Sequence, residues 1–357
     1  MSSEALVARL FEQSLGMFDV MSVYLGDRLG LYRCLRDDGP ATPAELATRA
    51  GIHPRYAREW LEQQAVTGFL EVDNVAADAD ARRYTLPDGH VAPLLDPDSP
   101  WSIAPLARSA VAAAMSLPQL VEAYRSGSGV EWADYGADMI ESQGDFNRPW
   151  LRGQFGSEML PALPEIHARL SADPPARIAE VASGVGWAAI AIASAYPNVT
   201  VDGFDLDPSS IALATQNARA AGVGDRVTFA VRDAADPSVS GRYDLAVIVE
   251  AVHDVSRPVE VLAAMRRMLV PGGTVLVADE KTGDTFTAPG DEVERIFYGF
   301  SIFTCLPAAM DDPQTAATGT VLRESTMRRY ATDAGFTSFR RIDDPTPEML
   351  RFYLLSG

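Results

Sequence analysis

The sequence predicts an α/β protein with a Rossmann-like, doubly wound and mostly parallel sheet in its C-terminal half and a mainly helical winged-helix domain before it. Two observations predict this fold class. From Arg177 onward, short apolar runs alternate with helical segments, which is typical of repeated β-α units around a parallel sheet. Earlier in the chain, two helices with clear start and stop residues lead into a predicted β-hairpin, in the order of a winged helix.

The winged-helix pattern occupies residues 37–90. Thr42 is expected to cap a helix that starts at Pro43 and ends before Gly51. A longer helix is predicted from Arg55 to about Thr67. Two short strands follow, at residues 69–72 and 83–86, and form the predicted hairpin.

Two further segments of the N-terminal half, residues 1–36 and 91–125, are predicted to be helical and strongly apolar. They carry more apolar surface than one small domain can cover, so part of it is expected to be buried by a second subunit. We therefore predict a homodimer whose contacts lie mainly in these two segments. The Ser126–Gly129 run is a linker signal, which divides the chain into a winged-helix and dimerisation domain (1–125), a helical linker (126–172) and a second domain (173–357).

Composition limits the classes of partner. The chain has 357 residues, of which 47% are hydrophobic, and a formal net charge of −19. Such a surface repels phosphate backbones and anionic lipid headgroups, so neither nucleic acid nor membrane is an expected partner. The sequence contains no long apolar span or secretory signal, and a cytoplasmic location is expected. Cys34, Cys305 and the four histidines show no metal-ligand spacing, so no metal is expected.

A glycine-rich turn, E-V-A-S-G-V-G, follows the first strand of the second domain. Glycines allow a sharp turn and a close backbone approach to a ligand, and the next helix presents unpaired N–H groups. The second and third strands end in acids that could bind the ribose and adenine of a nucleotide-like ligand. All these features fall at strand carboxyl ends, where open α/β sheets bind ligands. The predicted cofactor-binding residues are Glu180, Ala182, Ser183, Gly184, Gly186, Asp205, Leu206, Asp233, Ala234 and Glu250.

From about residue 145 to the C-terminus, this pattern resembles class I S-adenosylmethionine (SAM)-dependent methyltransferases. The matching features include the turn, the acids after the second and third strands, Tyr243-Asp244 at the fourth strand, and Leu269-Val270-Pro271-Gly272-Gly273 before the fifth. The resemblance implies that SAM is the cofactor. The family turn is usually D/E-x-G-x-G-x-G, and here Ala182 replaces the first glycine. NAD is the competing cofactor, but its G-x-G-x-x-G fingerprint is absent.

The fourth strand is followed by His253-Asp254, which resembles the histidine-aspartate pair of small-molecule O-methyltransferases of the plant and polyketide-tailoring type. The resemblance implies that His253, with Asp254, is catalytic and that the imidazole accepts the proton of a hydroxyl. Many class I methyltransferases carry a histidine here without a catalytic duty, which is the alternative. Glu250 and Glu280 are expected either to orient His253 or contact substrate, or to lie solvated at strand ends.

A long insertion after the fifth strand reaches about Glu324, and in the family this region roofs the substrate site. Its aromatic residues Phe297, Tyr298 and Phe300 are therefore candidate substrate-binding residues, with ordinary core packing as the alternative.

The predicted function is methyl transfer to a small molecule, at a hydroxyl of an aromatic or polyketide-like product of secondary metabolism. One alternative is a SAM-binding protein of the same fold with a non-methylating reaction. Another is a SAM- or ligand-sensing regulator that binds DNA through the winged helix. The helix at 53–67 balances Arg55 and Arg58 with Glu59 and Glu62, which disfavours DNA binding.

Overall fold

The structure is a computed structural model, and it describes residues 1–233, 236, 240–343 and 347–357. The chain forms two compact units, Met1–Ala114 and Met115–Gly357. In the described residues, no helix combines the length and apolar content needed to cross a membrane.

The first unit is mainly helical. A long helix opens it, and two short helices, a longer one and a small hairpin follow before the chain enters two more helices. Their bounds are α1 (Ser3–Arg28), α2 (Leu31–Asp37), α3 (Pro43–Ala50), α4 (Pro54–Val66), β1 (Glu71–Val72), β2 (Tyr84–Thr85), α5 (Asp88–Leu95) and α6 (Ala104–Met115), the last of which ends just inside the second unit.

The winged-helix prediction is confirmed in its local details. The Thr42 hydroxyl accepts a hydrogen bond from the Glu45 amide, and the Glu45 carboxylate accepts one from the Thr42 amide, which forms a capping box at the start of α3. Gly51 ends this helix in the left-handed conformation. The hairpin pairs Val72 with Tyr84 in antiparallel register.

The second unit begins with helical segments that precede the sheet. These are α7 (Leu117–Ser126), a 3₁₀ turn (Trp132–Tyr135), α8 (Gly136–Trp150), a first π-helix (Leu151–Met159) and α9 (Pro164–Leu170). The β-α repeat that follows comprises β3 (Arg177–Val181), α10 (Trp187–Ala195), β4 (Thr200–Asp205), α11 (Pro208–Ala220), β5 (Val227–Val231), β6 (Tyr243–Val249), α12 (Pro258–Met268) and β7 (Leu269–Glu280).

The C-terminal part adds α13 (Glu292–Phe300), a second π-helix (Ser301–Cys305), α14 (Leu306–Ala309), α15 (Glu324–Asp333), β8 (Ser338–Ile342) and β9 (Leu350–Ser356). The seven strands of this unit lie in the order β5-β4-β3-β6-β7-β9-β8. Strands β3 to β7 are parallel, and β9 is antiparallel to both β7 and β8. The predicted fold class is confirmed.

Hydrophobic cores cover both faces of this sheet because successive strand residues point to opposite sides. Ile178 belongs to one buried cluster and its neighbour Ala179 to the other. The strand order reverses between β3 and β6, which leaves a crevice at their carboxyl ends.

The structure differs from the sequence-based domain division in two respects. The first compact unit ends at residue 114, whereas the first predicted domain ends at residue 125. The segment predicted as a separate linker, 126–172, is part of the second unit, because Leu151 and Phe155 of the first π-helix are buried in the core on one face of the sheet. Strands β8 and β9 were not predicted from the sequence.

The first π-helix packs closely against α10 at Gly156. A Cβ atom at Gly156 would lie 2.5 Å from the Ala191 carbonyl oxygen, whereas one at Gly153 in the same segment meets nothing within 4 Å. We expect Gly156→Ala to lower the free energy of unfolding by about 1–3 kcal/mol through overpacking. Gly153→Ala should leave it unchanged or raise it by up to about 1 kcal/mol. Urea denaturation of the two variants checks this, and equal stabilities would contradict the packing described here.

Candidate active site

The turn between β3 and α10 has the backbone geometry of a close ligand approach. Ala182 adopts a φ of 53°, a conformation that favours glycine. The Ser183 amide donates to the Phe204 carbonyl at 3.0 Å, which ties the turn to the end of β4. Gly186 has a φ of 84°, and a Cβ there would lie 2.5 Å from the Phe229 ring. Only glycine fits at that position.

Asp205, at the end of β4, holds the same turn. One carboxylate oxygen accepts from the Gly184 amide at 2.8 Å, and the other accepts from the Asp207 amide at 2.9 Å. Burial raises the pKa of this carboxyl above its usual value, and the two amide donors act against that rise. Its neighbour Leu206 has an exposed side chain. The carboxylate is therefore fixed beside the turn, where it retains lone pairs for further donors.

Glu180 lies beneath the turn and is buried. Its Oε2 accepts from the Ala189 amide at 3.0 Å, at the start of α10. Burial raises the pKa of the Glu180 carboxyl to about 8, the Ala189 amide opposes this, and the charge of Asp205 adds to it. The carboxyl is protonated at neutral pH in the absence of a cationic ligand.

Two buried donors at this turn have no hydrogen-bond partner among the described residues. They are the Ser183 hydroxyl and the indole N–H of Trp187. The guanidinium of Arg148, on α8, lies 4.7 Å from the centre of the Trp187 ring. Buried polar groups without partners are costly. Their presence here fits a turn that is completed by a polar ligand.

The remaining predicted cofactor residues lie after β5 and β6. The Asp233 carboxylate is half-exposed and lies 3.9 Å from the Arg257 guanidinium. Ala234 lies outside the described residues. Glu250 follows β6 directly, with a φ of 49°, and its amide donates to the Ala278 carbonyl of β7 at 2.7 Å.

The Glu250 carboxylate accepts hydrogen bonds from two amide side chains of α8. The Asn147 amide nitrogen lies 3.0 Å from Oε2, and that of Gln143 lies 3.5 Å from the same oxygen. Burial raises the pKa of Glu250 to about 7, against the opposing effects of the Asn147 hydrogen bond and the positive charge of His253. Glu250 is partly buried and its carboxylate is bound by these two amides; a role in orienting His253 or contacting substrate stays a prediction.

His253 is 2% exposed and surrounded by carboxylates. Its Nδ1 donates to Asp279 Oδ1 at 2.9 Å and lies 2.8 Å from Glu280 Oε2. Its Nε2 lies 3.2 Å from Asp254 Oδ1. Burial alone would lower the pKa of the imidazole, but the charges of Asp254, Glu280 and Asp279 raise it well above its usual value of 6.5. These carboxylates therefore favour the protonated form of the ring.

The pKa values of the acids around this ring also depart from their usual values. Burial and the charge of Asp279 raise the pKa of Glu280, whereas the charge of His253 helps to hold the pKa of Asp279 below its usual range. Glu280 is 7% exposed, so the alternative of a solvated Glu280 is wrong. Its position against the ring agrees with the other alternative, in which it orients His253.

Cys305 lies near this cluster although it follows His253 by many residues in the sequence. A donor atom from each of His253, Asp254 and Cys305 falls within 4.8 Å of the others, and the same holds for His253, Asp279 and Glu280. The sequence showed no such spacing. Burial raises the pKa of the Cys305 thiol to about 11, which disfavours the thiolate that metal binding needs.

The three aromatic candidates lie on α13 but do not share one environment. Phe297 is 4% exposed and packs in the interior, whereas Tyr298 is 39% exposed, and Phe300 is intermediate. Three further residues at this site were not predicted from the sequence: Gln143, Asn147 and Trp187. The spacing of four residues between Gln143 and Asn147, which puts two amide side chains on one helix face, was the sequence signal for the first two.

Comparisons with known proteins agree with this architecture. Residues 178–273 match the profile of a methyltransferase domain, and residues 17–95 match that of an Rv2258c-like winged HTH domain. A stretch of 101 residues is 34% identical to trans-aconitate 2-methyltransferase of Streptomyces avermitilis, which covers 28% of this chain and 38% of that protein. The chain thus spans well under half of that relative.

Solved structures resemble the whole chain. The structure described as PigF with SAH has a TM-score of 0.73 and 21% identity, with 100% of both chains covered. The mitomycin 7-O-methyltransferase MmcR has a TM-score of 0.68 and 18% identity, over 99% of this chain and 98% of its own. Human N-acetylserotonin methyltransferase in complex with SAM has a TM-score of 0.67 and 17% identity, over 100% and 99%. The predicted order along the chain, a winged-helix domain followed by a methyltransferase domain, is confirmed.

The buried Glu180 carboxyl predicts a pH-dependent stability. Its pKa of about 8 exceeds the ordinary value of 4.5, so the folded state binds the proton more tightly than the unfolded state. The free energy of unfolding should therefore fall as pH rises from about 4.5 to about 8, and this loss ends above that range. Glu180→Gln keeps the acceptor for the Ala189 amide and cannot ionise, so it should remove this part of the pH dependence.

Denaturation midpoints of the cofactor-free protein between about pH 5 and pH 9 check this expectation. Glu260→Gln, on the exposed surface of α12, controls for the loss of one negative charge. A difference between wild type and Glu180→Gln that does not grow with pH would contradict the burial of an uncompensated carboxyl.

Proposed function

We propose that this chain, a methyltransferase domain behind a winged-helix domain, transfers the methyl group of SAM to a small molecule. The observation that carries the proposal is the convergence of the glycine turn, Asp205 and Glu250 on the crevice where the strand order reverses. Two of the structural neighbours are described with SAH or SAM bound. The acceptor we propose is a hydroxyl of an aromatic or polyketide-like product, for which the mitomycin 7-O-methyltransferase is a parallel.

The residues of the turn fit this cofactor. Asp205 would accept from the ribose hydroxyls, and the amides at the start of α10 face the same crevice. The unpartnered Ser183 hydroxyl and Trp187 N–H offer two donors to its polar groups. Bound SAM supplies an electrophilic methyl group on a sulfonium. The protein then has to align the acceptor with that methyl and exclude water.

We place the reacting end of the site near His253 and Asp254, after β6. The general-base role of His253 stays a prediction. The carboxylates on both sides of the ring favour the alternative in which a fixed imidazolium positions neighbouring groups. Phe297, Tyr298 and Phe300 likewise remain proposed substrate contacts.

The regulator alternative is disfavoured by the pairing of the winged-helix arginines. Arg55 and Arg58 pair with Glu59 and Glu62 on α4, and Arg82 also pairs with Glu62. These ion pairs neutralise the cations that a DNA-reading helix would direct at phosphates and bases.

We expect the purified protein to convert a hydroxyl compound from a panel of phenols and polyketide-like aromatics to its methyl ether when SAM is supplied, with SAH as the co-product. Mass spectrometry detects both products. Asp205→Ala removes the acceptor for the ribose and should weaken SAM binding by about 1–3 kcal/mol, or roughly 5- to 150-fold in Kd. Calorimetry with SAM, SAH and NAD measures this.

Asp202→Ala is the matched control for that experiment. Asp202 lies on the same strand, but its carboxylate accepts from Thr228 and Tyr243 and not from the turn. SAM affinity should stay at the wild-type level. Binding of NAD in place of SAM, or an Asp205→Ala variant with unchanged SAM affinity, would refute the cofactor assignment; SAH without any methylated product would favour a non-methylating reaction.

We also propose that the functional form is a homodimer. Helix α1 presents a long apolar surface to solvent in the single chain, formed by Leu6, Val7, Leu10, Phe11, Leu15, Met17, Phe18, Met21 and Leu25. A surface of this extent is typical of a protein interface. A second copy is the occupant that we propose, because the same face on both subunits gives a closed, self-complementary contact.

Light scattering tests this proposal. Wild type should have about twice the mass of one 38.4 kDa chain, since permanent dimers commonly bury more than about 2,000 Å². The double variant Phe11→Glu/Phe18→Glu should be monomeric, while Val66→Glu, at an exposed apolar residue of α4, should remain dimeric. A monomeric wild type at micromolar concentration would exclude the dimer.

A further inference from the structure

We infer that Glu250, held by Asn147 at the crevice between β3 and β6, accepts the proton of the substrate hydroxyl. This assignment rests on the methyl transfer proposed above, but it names a different proton acceptor from the histidine that the sequence favoured.

The position of Glu250 in the sheet brings it to the crevice. Glu250 directly follows β6, and Ala182 directly follows β3, the neighbouring strand across which the strand order reverses. Both residues adopt left-handed backbone conformations, with φ values of 49° and 53°. Such conformations in residues other than glycine cost about 1–3 kcal/mol and cluster at functional sites. The backbone is therefore strained on both sides of the crevice, and the strained residue that follows β6 carries a carboxylate.

Helix α8 fixes the orientation of the Glu250 carboxylate. Both hydrogen bonds that α8 donates to this carboxylate, from Asn147 and Gln143, go to Oε2. Helix α8 packs closely over the glycine turn, since a Cβ at Gly144 would overlap Val185. The amide donors therefore fix one oxygen on the α8 side. Oε1 makes no hydrogen bond with the described residues, and Glu250 is only partly buried, so this oxygen is accessible to a ligand.

The electrostatic surroundings of Glu250 suit a proton acceptor. Burial raises the pKa of Glu250 to about 7, which leaves a large fraction of the carboxylate both ionised and basic near neutral pH. The Asn147 hydrogen bond and the His253 charge lower it, and acidic neighbours raise it. The groups that face Glu250 from the packed elements are Gln143, Asn147, His253, Asp254, Asp279 and Glu280.

His253 is poorly suited to the same task. Its Nδ1 donates to Asp279, and its Nε2 faces Asp254 at 3.2 Å. Both ring nitrogens therefore lie against carboxylate oxygens, which occupy the positions from which the ring would contact a substrate hydroxyl. Its contribution to Glu250 is a fixed positive charge that favours the ionised carboxylate.

A lone pair of the substrate oxygen attacks the methyl carbon of SAM, the carbon–sulfur bond breaks, and its electron pair stays on the sulfur of the SAH product. The O–H proton moves to Glu250 Oε1 as the new carbon–oxygen bond forms. Glu250 returns this proton to water after product release.

Glu250→Gln tests the assignment. The glutamine keeps the acceptor for Asn147 and cannot take a proton. For the wild type, kcat/KM should decrease as the pH is lowered through an apparent pKa of about 7, which gives the pH profile an acid limb. In the variant this acid limb should vanish, and the rate should drop by roughly 10²- to 10⁴-fold. SAM affinity by calorimetry should change by less than about threefold. A retained acid limb, or a large loss of SAM affinity with the limb intact, would overturn the inference and make Glu250 a cofactor ligand.

Two further variants separate the candidates. Asn147→Leu removes a hydrogen bond that lowers the Glu250 pKa, and His253→Gln removes a charge that lowers it, so both should move the acid limb to higher pH without abolishing it. An acid limb that disappears in His253→Gln but survives in Glu250→Gln would return the base role to the histidine.

A readout without turnover keeps this test independent of the proposed function. Isotope-edited infrared titration of the cofactor-free protein should show a carboxyl that ionises near pH 7 and that is missing in Glu250→Gln. Absence of that titration would refute the inference even if methyl transfer is observed. Its presence, with no methylated product from the wild type, would leave the carboxyl assignment standing and refute the reaction.

Discussion

The reversal of strand order between β3 and β6 is the constraint on which the candidate site depends. Connections from β3 lead to β4 on one side, while β6 lies on the other, so the loops after β3 and β6 diverge and leave a crevice at their carboxyl ends. Every group assigned to cofactor or proton chemistry borders this crevice or the strands beside it. The glycine turn, Asp205 and Glu250 are close in space because the topology places their strands side by side.

A second requirement follows from the depth of the site. Glu180, Asp279 and Glu280 are buried, Glu250 is partly buried, and His253 lies against Asp279 and Glu280. Buried charge is tolerated only when it is paired or neutralised by proton uptake. The charge of His253 acts on the carboxylates around it, and their pKa values shift in different directions: that of Asp279 is lowered, whereas those of Glu250 and Glu280 are raised by burial. Such separation assigns different roles to chemically similar groups.

Much of this could be predicted from the sequence because local signals agreed with the fold. Thr42 with Glu45 marked a helix start, and apolar runs after Arg177 marked parallel strands. Two other contacts could not be predicted, because Asn147 lies 103 residues from Glu250 and Asp279 lies 26 residues from His253 in the sequence, and only tertiary packing joins them. The antiparallel pair β8–β9 was missed because it breaks the β-α alternation that identified the other strands.

The first π-helix follows α8 directly, and it sets how the α8 residues that contact Glu250 are rotated relative to the residues after them. A π-helix accommodates an extra residue within a helical turn, so the helix faces before and after it are rotated relative to a continuous α-helix. Asn147 can thus face Glu250 while Phe155, a few residues on, faces the sheet core. Deletion of one residue that converted Leu151–Met159 to a regular α-helix would therefore rotate the face that carries Phe155 relative to the face that carries Asn147.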